Sequence, residues 1–265
     1  MHAIPLTLPD LLVAASLVLI DAGLSIGFSL GLHRALAIAS VRMVVQLILV
    51  GYLLRAVFAV ANPAITALVI VAMAAIAARE VAARPQQRLV ARGNLLIGGS
   101  AVAAATGFTV ILALTTAIRP SPWYDPRYAI PLSGIILGNV MNGASLALDS
   151  LLGGVGRERA AIEAQLALGA SMRAAMRPLV ATSVRRALLP MINTMSAAGI
   201  ITLPGIMTGQ ILAGMDPLEA TKYQILLMFL LAGASGMAAL VTAELAARRL
   251  TDARDRLRLD RLRPR

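Results

Sequence analysis

Seven apolar runs dominate the sequence, at about residues 8–30, 35–61, 63–79, 94–118, 129–151, 190–214 and 222–246. Each comes close to or exceeds the ~20 residues that one helical crossing of a bilayer needs. Hydrocarbon offers the backbone no water, so such runs cross it as helices that pair their own N–H and C=O groups. The chain is 58% hydrophobic and 14% charged, with a mean hydropathy of +0.80, which does not describe a water-soluble surface. The expected fold is an all-α integral membrane protein of about seven transmembrane helices, a single transmembrane domain over residues 1–265. Asn62-Pro63 separates the second and third runs, because proline ends one helix and can start the next. The first run lacks a basic flank and a clear small-residue cleavage site, so it reads as a span rather than a signal peptide.

Charge orients this array. If the N-terminus is outside, the inside segments hold 20 of the 24 Arg and Lys residues, leaving only Arg55, Arg119, Arg127 and Lys222 outside. That asymmetry predicts an outside N-terminus and a cytoplasmic C-terminus. Trp123 and Tyr124, side by side in an outer loop, suit an interfacial anchor. Arginines sorted to one face orient a membrane protein, so the net charge of +11 does not call for nucleic acid.

Several chemistries are excluded. The chain has no Cys and only two His, His2 and His33, which removes thiolate sites and an all-histidine metal cage. Its one lysine, Lys222, follows Thr221 rather than Gly, so no Walker A loop exists, and any nucleotide must sit on another chain. No nucleophile converges with a base, and the intramembrane carboxylates are scattered over separate spans, which argues against an enzyme.

Some spans carry polar residues that lipid disfavours. On the helix at 129–151, Gly134, Gly138, Asn142, Ser145 and Asp149 share an arc of about 80°, with Asn139 further round. Such a face packs on another helix or lines a water-filled path. In the first span Gly23, Gly27 and Gly31 repeat every four residues, and Asp21 lies on the opposite side. Arg42 and Gln46 are i,i+4 neighbours in the second. Leu203-Pro204-Gly205 interrupts the run 190–214 and predicts a kink or break, with Asn193, Thr194 and Gln210 supplying polar atoms nearby. Met191, Met195 and Met207 read as adaptable core fillers before they read as soft-metal ligands. Glu244 and Arg248 have the spacing of a helix salt bridge.

The segment 152–189 differs in kind. Residues 157–173 form an Ala-rich amphipathic helix interrupted at Gly169, so the reading is a projecting cytoplasmic elbow: a docking surface, or a helix lying along the bilayer. The basic tail 247–265 reads as a solvated helix touching anionic headgroups of membrane lipid.

Glu163-Ala164 followed by Leu168-Gly169-Ala170-Ser171 looks like the EAA-type cytoplasmic loop of bacterial ABC importer permeases, although the Leu-Pro usual in that loop comes later, at Leu189-Pro190. A closer likeness covers most of the chain. It is carried by Arg42-x3-Gln46-Leu47-x2-Val50-Gly51-Tyr52, by Pro131-x2-Gly134-x3-Gly138-Asn139-x-Met141 and by Ser183-x-Arg185-x-Ala187-Leu188-x-Pro190. Most specific is Leu203-Pro204-Gly205-x-Met207-x-Gly209-x4-Gly214-x-Asp216-Pro217, followed by Ala220-x-Lys222-Tyr223-Gln224-Ile225. In these stretches the chain resembles the FetB-like family of iron-export ABC permeases, related to plant proteins of aluminium tolerance.

The resemblance implies a multi-pass permease subunit of the bacterial inner membrane that pairs with a separate ABC ATP-binding subunit, as two permeases and two ATPases, and exports iron or another metal ion. The plant relatives leave a nucleotide sugar such as UDP-glucose open as substrate, and a secondary transporter working alone is the remaining alternative. No cofactor is expected on this chain; ATP and Mg belong to the partner subunit. Glu163, Ala164, Gly169 and Arg173 would dock that partner, while Asn139, Asn142, Asp149, Pro204, Gly205 and Gln210 would line or gate the path. No ligand set names a metal.

Overall fold

The computed structural model describes residues 7–252 and 254–264; His2, Ala253 and Arg265 lie outside the described residues. Nine α-helices make up nearly all of it: α1 (Leu8–Gly27), α2 (His33–Val60), α3 (Pro63–Ala83), α4 (Gly93–Leu112), α5 (Pro126–Arg157), α6 (Arg159–Ala167), α7 (Met172–Ala197), α8 (Gly205–Leu212) and α9 (Pro217–Arg249). A π-helical turn, Ala113–Ile118, prolongs α4. Six helices, α1 to α5 and α9, are long and apolar enough to cross a membrane.

Three of these helices begin in the same way. Asn62-Pro63, Asp125-Pro126 and Asp216-Pro217 open α3, α5 and α9, and each Asx side chain accepts from the backbone N–H two residues on, at 2.8, 2.9 and 2.9 Å. The side chain satisfies one orphan donor, and proline at the first helical position has no N–H to lose.

The core is formed by α4, α5 and α9, with α3 and α7 against its flanks. Val140, Ala144, Leu148 and Leu151 of α5 and Ala234, Ala238 and Ala243 of α9 are fully enclosed. Small residues let the helices approach closely. A side chain at Gly98 of α4 would collide with Val81 of α3, and one at Gly154 of α5 with Leu179 of α7. By contrast α1 and α2 pack on each other and reach the rest chiefly through a small contact of α2 with α5. Gly23, Gly27 and Gly51 face open space among the described residues, and Gly31 lies beyond the end of α1 in a turn at φ +70°.

The run 190–214 is not one helix. Its first part, through Ala197, is the end of α7, which starts back at Met172 and carries Pro178 and Pro190 inside it. Proline at these positions costs the helix a bond each without ending it. The segment 152–189 therefore divides three ways. Residues up to Arg157 complete α5, residues from Met172 belong to α7, and only α6 with its flanking turns projects between them.

Beyond Arg249 the described tail is not one solvated helix; its one helical piece is a 3-10 turn, Leu259–Arg261. After α9 it folds back, with Leu257, Leu259 and Leu262 packed on the core, and ends in a strand β2 (Leu262–Pro264) antiparallel to β1 (Gln87–Leu89) in the α3–α4 connection. Arg261 Nη1 donates to the carbonyls of Arg249 and Thr251 at 2.7 and 3.2 Å, capping the end of α9. Asp252 accepts from the N–H groups of Arg254 and Arg256 at 2.9 and 3.0 Å and from Arg256 Nε at 2.8 Å. These bonds, the Arg256 N–H first, hold its carboxyl down to about 2. Glu244 and Arg248 form no ion pair among the described residues.

Candidate functional site

The arginine-rich end of the molecule carries the elbow. By their length of ~1.5 Å per residue, the 32 residues of α5 and 33 of α9 exceed a hydrocarbon core of ~30 Å, so their ends stand clear of it. From the end of α5, α6 runs nine residues and stops in a Schellman turn: Ala170 N–H bonds the Gln165 carbonyl and Gly169 N–H the Leu166 carbonyl, both at 3.0 Å. Gly169 adopts φ +87°, the left-handed conformation that glycine enters freely. Leu168 beside it is 89% exposed. Ser171 then caps α7 by accepting from Ala174 N–H at 3.3 Å.

All four residues expected to dock a partner fall on this feature. Glu163 and Ala164 are exposed on α6, Gly169 forms the turn, and Arg173 is exposed in the first turn of α7. Glu163 pairs with Arg159 at 2.8 Å in the open, an interaction worth little on its own.

The polar face of α5 lies against α3 and the segment that follows it. Gly134 meets Met73; Arg84 Nη1, at the end of α3, donates to Asn142 Oδ1 at 2.6 Å; and Asp149 Oδ1 accepts from the Gln86 backbone N–H at 2.9 Å. Asn139 Nδ2 is turned back to its own helix, donating to the Ile135 carbonyl at 3.0 Å. Gly138 has open space in front of it, and Asn142 is exposed. The face is thus packed at some levels and open at others. A further ion pair, Arg42 to Glu80 at 3.5 Å, links α2 to α3 on the same half of the molecule.

Below this row opens a cleft of about 410 Å³, bordered by Gln86, Asp149, Ser150, Gly153, Arg157 and Arg186. Ser150 Oγ and, a little above, Ser145 Oγ are buried with no partner among the described residues. Buried hydroxyls of this kind suit a place that water or a polar substrate visits. Reading the sequence does not single out Arg84 or Gln86 as partners of α5. The signal was the Glu80–Arg84 spacing, which continues α3 one turn past residue 79.

Pro204 and Gly205 mark a complete break. Residues 198–204 are irregular, Pro204 occupies the N-cap of α8, and Gly205 is the first helical residue. Gln210 Oε1 in α8 is buried and unpaired among the described residues. Since α8 packs chiefly on α9, the break and the α5 row are separate features of one chain rather than one cluster. Among the described residues no three His, Asp or Glu side chains gather as a metal site.

A family profile described as "Uncharacterised protein family (UPF0014)" matches residues 8–251. The chain belongs to the UPF0014 family. Within this family it is 42% identical over 204 residues to a UPF0014 membrane protein of Synechocystis, covering 76% of this chain and 77% of the relative. It is 30% identical over 257 residues to the Escherichia coli protein named "Probable iron export permease protein FetB", covering 97% of each. It is also 30% identical over 234 residues to the Arabidopsis thaliana protein named "Protein ALUMINUM SENSITIVE 3", covering 88% of this chain and 84% of that one. No solved structure matches it. This UPF0014 chain is a membrane protein, nearly all helical, and related over nearly its whole length to a named permease.

Proposed function

We propose that this UPF0014 protein is the permease subunit of an ABC transporter of the bacterial inner membrane, exporting iron or another metal ion and driven by a separate ATP-binding subunit. The observation that carries the reading is the elbow: a short exposed helix ending at Gly169, joined directly to α5 on one side and α7 on the other. A partner that grips α6 pulls on both helices at once, and both pack on α9. Closing of the ATPase pair then tilts α5 and α7 and alternates access to the path, a rigid-body transition of the kind helical transporters use. Relatedness to a chain named as an iron export permease supports the choice of substrate.

Two copies form the working unit. Charged and polar side chains on spanning helices avoid lipid. Arg42 and Asn142 are nonetheless exposed within one chain, and so is the irregular backbone near Ile200 and Ile201. A second permease covers these surfaces and encloses a water-filled route along Asn139, Asn142 and Asp149, with the Pro204-Gly205 break as its hinge. The elbow and the C-terminus face the cytoplasm, an orientation that the arginine asymmetry supports. The test is co-purification with an ABC ATPase, followed by ATP hydrolysis in lipid with and without Fe(II).

A further inference from the structure

A cleft of about 970 Å³ lies between the first turns of α7 and the junction of α9 with the folded-back tail. Its floor is apolar: Met172, Met176, Val180 and Ala247. Its rim carries Arg173 and Arg177, one helical turn apart on α7, and Arg248 in the last turn of α9. None of these three guanidinium groups is in an ion pair or a side-chain hydrogen bond among the described residues, whereas Arg256 and Arg258 of the adjoining tail are each held by a carboxylate.

The carboxylates of the same cleft do not cancel them. Asp252 is saturated by the N–H groups of Arg254 and Arg256 and the Arg256 guanidinium, with Arg258 at 3.9 Å. That leaves Glu244 and Asp255 against three free arginines, with the hydroxyl of Ser171 as a further donor, while that of Thr251 already donates to the Ala247 carbonyl at 2.9 Å. The N-terminus of α7 adds its positive dipole end.

We infer that this cleft binds the headgroup of an anionic phospholipid. A guanidinium fork matches a phosphate in two parallel hydrogen bonds, and basic pockets between spanning helices at the bilayer edge hold anionic headgroups. The apolar floor selects lipid over a free anion, because the glycerol and first methylenes of an acyl chain cover Met172, Met176 and Val180 while the phosphate meets the rim. The cleft has this composition only because the tail folds back on the core and presents Thr251 and Asp252 as a wall. The inference requires only that the chain spans a membrane, and stands independently of the proposed transport.

Native mass spectrometry of the full-length protein in detergent tests it, with phosphatidylglycerol, phosphatidylcholine and inorganic phosphate as probes. The expected result is one phosphatidylglycerol held per chain under activation that strips phosphatidylcholine, a loss of about tenfold or more in Arg177→Gln/Arg248→Gln, and partial retention in Arg177→Lys/Arg248→Lys. Equal retention in the glutamine pair, equal retention of phosphatidylcholine, or displacement of the lipid by excess inorganic phosphate would each overturn the inference. So would loss of ATPase binding in the glutamine pair with lipid retention unchanged, which would assign the cleft to a protein partner.

Discussion

Arg84 at the end of α3 donates to Asn142 in the middle of α5 across 2.6 Å, tying the edge of the molecule to the helix that bears its polar face. Asp149 repeats the link two turns on by accepting from the Gln86 backbone N–H. In the alternating access proposed above, these two links restrain the tilt of α5 away from α3 and are released or carried along as the path opens.

Arg84→Ala removes a charge-assisted bond that is solvent-accessible, so it costs about 1 kcal/mol of stability rather than the larger figure of a buried pair. The expected effect is a small fall in melting temperature and a clear change in Fe(II)-stimulated ATP hydrolysis, with Arg84→Lys recovering part of it. A variant unchanged in both would show that the bond restrains nothing.

Close approach of α5 and α7 depends on Gly154. A Gly154→Leu chain collides with Leu179, and overpacking of this kind costs about 1–3 kcal/mol. Combining it with Leu179→Ala returns room, so thermal denaturation of the double variant should show recovery beyond additivity. Simple addition of the two losses would mean that the helices do not meet at this point.

Much of the fold is legible in the sequence, for identifiable reasons. Three Asx-Pro pairs mark where α3, α5 and α9 start, because the cap and the ring act locally. The division of 190–214 is not legible from hydropathy. Arg185 and Arg186 make the second half of α7 look extramembranous, and Pro190 looks like a boundary although the helix runs through it. The tail misleads in the opposite way. Its arginines and aspartates suggest a solvated helix, whereas Leu257, Leu259 and Leu262 are spaced among them and pack on the core from a strap that runs through the 3-10 turn Leu259–Arg261. At the candidate site the elbow glycine and the polar row on α5 can be read directly. The partners of that row, Arg84 and Gln86, are distant in sequence and emerge only when α3 is placed beside α5.

The strap should respond to acid in one direction. The Asp252 carboxyl titrates at about 2 in the folded chain, below the ordinary 3.8, so its contribution is fully present above pH ~4 and is lost as the pH falls toward 2. Hydrogen exchange at β2 should therefore stay protected at pH 5 and lose protection between about pH 4 and 2. Asp252→Asn should lack that transition. Protection that is indifferent to pH in the native chain would show that Asp252 does not hold the tail.

The central claim is that an ATPase works this chain through the turn at Gly169. At φ +87° a β-branched residue is strained by about 1–2 kcal/mol, while Asn enters the same conformation more readily. Nothing among the described residues crowds the position, so replacement leaves the helix packing alone. The decisive measurement is ATP hydrolysis by the co-reconstituted ATPase in lipid with Fe(II). The account predicts stimulation by the native permease, none by Gly169→Val, and an intermediate level with Gly169→Asn, all three inserted in the membrane to the same extent. Full stimulation by Gly169→Val, or iron transport by the permease alone in vesicles without an ATPase, would contradict it.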